Sequence, residues 1–215
     1  MLLALMAAQA PTPALWMVFL LTGPETAPQA EVAKRQAAHI ENFRRLDREK
    51  RLYLVGPTMQ PNSNLRGILL LSATDKAQVE KEFLADPYIT EKNMVIKVHK
   101  FNPLRGEFAS KPGATLNTWR MVLMTKEGAE KPAAGSDWSR ILTKQIDFYA
   151  TNDCPFVLAG ALDDDAAGGF FGIVASGEDD MAWSAAGRAP VIQSGAMKAR
   201  ISPIFLAQGG VPPLP

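Results

Sequence analysis

Two side chains in this sequence have the types needed for proton transfer near neutral pH. His39 is one of only two histidines. An imidazole with an ordinary pKa of about 6.5 can accept or donate a proton under such conditions. On a helical wheel His39 falls about 20° from Val32 and between Phe43 and Leu46, so it points inward rather than at water. A carboxylate beside it would fix the tautomer and stabilise the charged ring. Asp86, which precedes Pro87, is the candidate carboxylate. The plain alternative is a structural histidine and a helix-end aspartate.

Other chemistries find little support. His99 lies in a strand between apolar alternates, Val95 and Phe101, and two histidines without close spacing do not make a metal site. No glycine-rich loop carries the lysine that phosphate binding needs. No serine sits in a nucleophile elbow. Asp163-Asp164-Asp165 precedes small residues and lacks the spacing of a calcium loop. The single cysteine, Cys154, excludes an internal disulfide and reads as a small packed residue. Metal and organic cofactors are therefore not expected.

The elements that must position His39 and Asp86 occur twice. Trp16 opens WMVFLL and Trp119 opens WRMVLM, 103 positions later. The same offset carries Pro87 onto Pro190, Ile89 onto Ile192, Met94 onto Met197, Val98 onto Ile201 and His99 onto Ser202. One inserted residue aligns Gly56 with Gly160. At this offset His39 meets Leu142 and Asp86 meets Ala189, so only the first copy has the pair. A period this long is not that of a solenoid; it indicates two fused small domains.

Each copy reads as βαββαβ. In the first, strands are expected at 15–22, 52–57, 67–72 and 94–101. Helices are expected at 28–50, with Pro28 in the first turn and Arg35 towards water, and at 75–85, capped by Thr74. The second copy repeats the order at 118–125, 136–151, 155–162, 169–175, 178–187 and 196–206, with Leu142, Ile146 and Tyr149 on one inner helical stripe. The expected organisation is a tail at 1–14, a domain at 15–102, a Pro/Gly-rich linker at 103–117, a domain at 118–208 and a tail at 209–215. The fold class is α+β. A ferredoxin-like sheet carries helices on one face only, and its other face is apolar here and must be covered. The two units are therefore expected to pack sheet to sheet as an intrachain pseudo-dimeric α/β barrel, which leaves room for a further homodimer.

The apolar and charged fractions, 47% and 21%, are those of a globular protein. A net charge of +1 speaks against nucleic-acid partners, and RRLDREKR at 44–51 reads as a solvated helix end. No apolar run is long enough to span a membrane. LLALMAAQA, with Ala8-Gln9-Ala10 as a small-x-small site, reads as the end of a secretory signal and points towards export, against a frayed tail.

The first copy resembles the YCII-related family of the dimeric α/β-barrel superfamily. The likeness rests on the opening strand, the helix bearing His39, Val55-Gly56-Pro57, Gly67-Ile68-Leu69-Leu70 and Asp86-Pro87-Tyr88. It covers residues 15–102; residues 118–206 follow only in outline. The resemblance implies a His39–Asp86 acid/base pair in a pocket shaped by Gly56, Pro57 and Tyr88. It further implies a cofactor-independent lyase or isomerase step on a small aromatic or lactone-like molecule. Two rival readings are a non-catalytic binding or scaffolding module of the same fold, and a haem- or oxygen-handling barrel with His39 or His99 as ligand.

Overall fold

The computed structural model describes residues 12–58, 60, 63–107, 116–127, 129, 137–163 and 168–207. Ala8-Gln9-Ala10, Asp164 and Asp165 lie outside this set. The first half runs β1 (Ala14–Thr22), α1 (Val32–Arg48), β2 (Leu52–Pro57), β3 (Leu65–Ala73), α2 (Lys76–Glu82), α3 (Pro87–Thr90) and β4 (Met94–Arg105). The second runs β5 (Leu116–Thr125), α4 (Trp138–Ala150), β6 (Leu158–Asp163), β7 (Gly169–Val174), α5 (Asp179–Gly187), α6 (Pro190–Gln193) and β8 (Lys198–Ala207). The two halves thus share one order of elements.

All eight strands form one antiparallel sheet, in the order β2-β3-β1-β4-β6-β7-β5-β8. This differs from two separate sheets laid face to face. The halves join edge to edge, where β4 pairs with β6 from Lys100↔Asp163 to Arg105↔Ala159. The far ends of the strand order also meet, at the bridge Thr58↔Ile204. That bridge corresponds to Phe101↔Leu162 in the other seam: the offsets carry Phe101 onto Ile204, and Thr58 onto Leu162 with the one inserted residue.

Burial follows the period-two alternation of the strands. One face is lined by a cluster drawn from every strand, including Met17, Leu54, Ile68, Phe101, Met121, Leu158, Phe171 and Ile204. On the other face, Val18, Leu69, Phe43 and Phe83 form a second cluster with the first half's helices. Val122, Tyr149, Phe156 and Val191 do the same in the second half.

Glycines at both seams make close approach possible. A Cβ on Gly56 would lie 2.7 Å from Leu206 and 2.8 Å from Ile204, and one on Gly160 would lie 2.2 Å from the ring of Phe101. Neither site has room for a side chain.

Several expected boundaries shift, for identifiable reasons. The helix expected at 28–50 starts at Val32, after a 3-10 turn at Gln29–Glu31 that Pro28 precedes. The second helix is capped by Asp75, whose side chain accepts from Gln78 N, and not by Thr74. It ends at Glu82, and Pro87–Thr90 is a separate turn of helix. β4 runs on into the expected linker because β6 pairs with it there. The strand expected at 155–162 begins only at Leu158.

Candidate active site

His39 and Asp86 come from separate elements. His39 projects from the middle of α1, whose arginine-, histidine- and asparagine-bearing face meets the α2–α3 corner. Asp86 is the N-cap of α3, extended in backbone, with Pro87 locking the first helical position. Its Oδ1 accepts from Tyr88 N at 3.0 Å, and its Oδ2 lies 2.6 Å from His39 Nδ1. Asp86 is fully buried and His39 is 5% exposed. One carboxylate therefore caps a helix and binds an imidazole at the same time.

The ring is held on its sides as well. Phe43 packs edge-on at 4.3 Å and Tyr88 at 5.3 Å between centroids. The Tyr88 hydroxyl donates to Val32 O at 3.4 Å. In a neutral ring, Nδ1 donating to Asp86 would leave the lone pair on Nε2. Some fully buried side-chain atoms of the described residues lack a hydrogen-bond partner, Arg51 Nη2 and Gln145 Nε2 for example, but Nε2 of His39 is not one of these sealed atoms. No hydrogen bond among the described residues occupies it. A buried carboxylate behind Nδ1, with no described partner on Nε2, is an arrangement that a general base can use.

Neighbouring polar groups extend the contact between α1 and the corner. Arg35, expected to face water, is instead buried. It donates to Asn93 Oδ1 at 2.6 Å and to Glu31 Oε2 at 2.5 Å. The Glu31 bond holds its guanidinium above the ordinary range despite desolvation, with Glu91 adding its charge. Asn42 Nδ2 donates to Glu82 O at 3.1 Å, and Arg45 Nη2 to Glu82 Oε2 at 2.6 Å. Residues 35, 39, 42 and 45 recur at helical spacing. That spacing is the sequence signal for a polar stripe facing another element, and the apolar stripe beside it masks the signal.

The remaining implied pocket residues separate. Tyr88 abuts the imidazole. Gly56 lies on the opposite face of the sheet, where β8 covers it, and Pro57 ends β2 at an exposed position. His99 stands on the inner face of β4, its ring edge-on to Phe19 at 5.5 Å. The second-half counterparts hold no acid/base pair. Ala189 is buried, Leu142 is only half-buried, and Ile146 is exposed rather than on an inner stripe. Cys154 is buried, and burial pushes its thiol above the usual range. Among the described residues no group of three or more His, Cys, Asp or Glu is placed to hold a metal ion, and no helix is long and apolar enough to cross a membrane.

No protein-family model matches the chain, and no curated protein matches it. Solved structures do. A protein with a provisional monooxygenase name from Lactobacillus acidophilus NCFM superposes with a TM-score of 0.52 at 11% identity, over 95% of this chain and 100% of that one. A haem-binding protein from Thermus thermophilus gives 0.52 at 8% identity, over 92% of each chain. Chlorite dismutase from Candidatus Nitrospira defluvii gives 0.51 at 8% identity, over 91% and 92%. These similarities establish a ferredoxin-like α+β fold of the dimeric α/β-barrel kind along nearly the whole chain, and at such identities they establish the fold alone.

Proposed function

We propose that the chain is a small acid/base enzyme in which His39 Nε2 is the proton-transfer atom and Asp86 its buried partner. The observation that carries this reading is the 2.6 Å contact between Nδ1 and a fully buried carboxylate, with no described residue bonded to Nε2. In an isomerase step, Nε2 takes a proton from carbon beside a carbonyl and returns it at another carbon. In a lyase step, it takes the proton while a leaving group departs with its electron pair from the adjacent carbon. Asp86 offsets the imidazolium charge in both. The substrate class is compact and aromatic or lactone-like. Tyr88 is the residue proposed to shape the pocket; Gly56 can contribute only through the backbone of β2, and Pro57 stands exposed at its end.

The proposed architecture is a tandem duplication, with units at 15–102 and 118–208 related by a pseudo-two-fold axis as an intrachain pseudo-dimer. Support comes from the shared strand order, the 103-residue offset and the correspondence of Thr58↔Ile204 with Phe101↔Leu162. The second unit supplies half of the common core and no acid/base pair.

The alternative is a non-catalytic binding or scaffolding module. The polar stripe favours it, because Arg35, Asn42 and Arg45 tie α1 to the same corner without chemistry, and His39–Asp86 would be one more tie. A haem reading with His39 as ligand would use the same Nε2, since a carboxylate behind the other ring nitrogen is how ligating histidines are usually held, but the ring is only 5% exposed, with Phe43 and Tyr88 packed edge-on against it. The deciding experiment is deuterium uptake from D2O into carbon acids, lactones and chlorinated hydroxyaromatics, followed by proton NMR. Uptake that disappears in His39→Ala supports the enzyme. Saturable binding without uptake supports the module.

A further inference from the structure

We propose that the second half carries a binding site, separate from His39–Asp86, for a planar aromatic anion. The site is a surface groove of about 510 Å³ between α5, α6 and the start of β8, within the range of about 300–1,000 Å³ typical of small-molecule sites. Trp183, Ala186 and Gly187 line it from α5, Ile192 from α6, and Met197 and Lys198 from the β8 side.

The first half shows what this groove replaces. At the 103-residue offset, Ala186 stands where the first copy has Phe83, Gly187 where it has Leu84, and Ala199 where it has Ile96. Phe83 is fully buried and fills its position and Ile96 is half-buried, whereas Leu84 is 69% exposed, so the packed volume given up is that of Phe83 and Ile96. A Cβ on Gly187 would meet nothing within 4 Å. The second copy has thus exchanged three large apolar residues for small ones at one place. It has also put Trp183 at the rim, 53% exposed, where the first copy has Glu80. Leaving a tryptophan half in water beside vacated apolar space forgoes burial energy, which a ligand ring stacked on the indole would recover.

Charge selects the occupant. Lys198 lines the groove and is exposed, and it forms no ion pair among the described residues. Two other cations of this half are engaged: Arg188 with Asp153 at 2.8 Å and Arg120 with Asp179. An available ammonium beside an apolar slot with an exposed indole suits a flat aromatic ring bearing a sulfonate or carboxylate.

The test uses the full chain with 1-anilinonaphthalene-8-sulfonate, and N-phenyl-1-naphthylamine as its uncharged counterpart. The expected result is saturable one-site fluorescence enhancement by the sulfonate, with weaker binding of the neutral probe. Gly187→Leu restores the first copy's residue into open space, so it should fold, as circular dichroism will verify. It should weaken the sulfonate by about tenfold or more, a loss of roughly 1.4 kcal/mol. Trp183→Ala should weaken it too. Lys198→Glu should weaken the sulfonate but not the neutral probe. His39→Ala should leave binding unchanged, which separates this site from the proposed active site. Non-saturable enhancement, equal binding of the two probes, or full affinity in folded Gly187→Leu would overturn the proposal.

Discussion

The amide of Val191 donates to Gln145 Oε1 at 3.2 Å, and Val191 is the counterpart of Tyr88, whose amide goes to Asp86 Oδ1 at 3.0 Å. The same turn is therefore capped in two ways. In the first half an aspartate within the turn does it; in the second a glutamine from the facing helix does, and Ala189 stands at the aspartate's position. Capping this turn does not require an acid. What only the aspartate provides is a charged partner for an imidazole.

This separation yields the first prediction. Asp86→Asn keeps an oxygen for Tyr88 N but presents no anion to His39. We expect it to fold, to remain within about 1–3 kcal/mol of the parent in urea unfolding, and to lose turnover by about 10²–10⁴-fold, the usual worth of a positioned acid/base. His39→Ala should lose as much. Turnover within about threefold of the parent in either folded variant would refute the dyad, since a working acid/base is worth far more than that.

The counterpart position should behave differently. Leu142→Ala removes a half-buried side chain, so its cost should fall below the roughly 2–5 kcal/mol of a fully buried leucine. Its rate under substrate saturation should be unchanged. A loss of rate larger than the loss of folded fraction would mean that the second unit takes part in the chemistry.

Gly56→Ala tests the seam. The added methyl meets Leu206, Ile204 and the Phe205 carbonyl at 2.7–2.8 Å, and overpacking of this kind costs about 1–3 kcal/mol. Thermal unfolding of purified protein should show a lowered midpoint. An unchanged midpoint would mean that β2 and β8 can part at no cost.

Acid stability should depend on Glu82. Burial alone would raise its pKa, but hydrogen bonds from Arg51 and Arg45 outweigh that and hold its carboxyl below the usual range. A carboxyl depressed on folding adds stability above its unfolded pKa of about 4.3, and that stability is lost as pH falls through the lower folded value. The parent should lose stability relative to Glu82→Gln as pH drops below about 4.3. Parallel stability–pH curves for the two proteins would disprove the assignment.

Much of the fold is legible because apolar periodicity and repetition reinforce each other: a strand such as WMVFLL, echoed by WRMVLM 103 positions later, is hard to misread. The inward side of His39 follows from the same wheel. The burial of Arg35 does not, because a guanidinium can be buried only if partners such as Glu31 and Asn93 receive it, and Asn93 is distant in sequence. Pairing of β4 with β6 is equally hidden, since it depends on contacts between the halves that no local pattern records. Gly56 stands out in the sequence but belongs to a different neighbourhood from the one expected. A glycine signals close approach, yet the sequence does not say what approaches.

The two seams are unequal among the described residues. One is a ladder from Lys100 to Arg105, and the other a single bridge at Thr58. Where a sheet closes by one bridge, the strands beside it remain partial edges, able to recruit a strand from another molecule. Pro57 at the end of β2 and Pro203 within β8 each remove a donor from those strands. The weaker seam thus carries its own protection against aggregation. Replacing both prolines should leave the fold intact and make the protein prone to associate as its concentration rises.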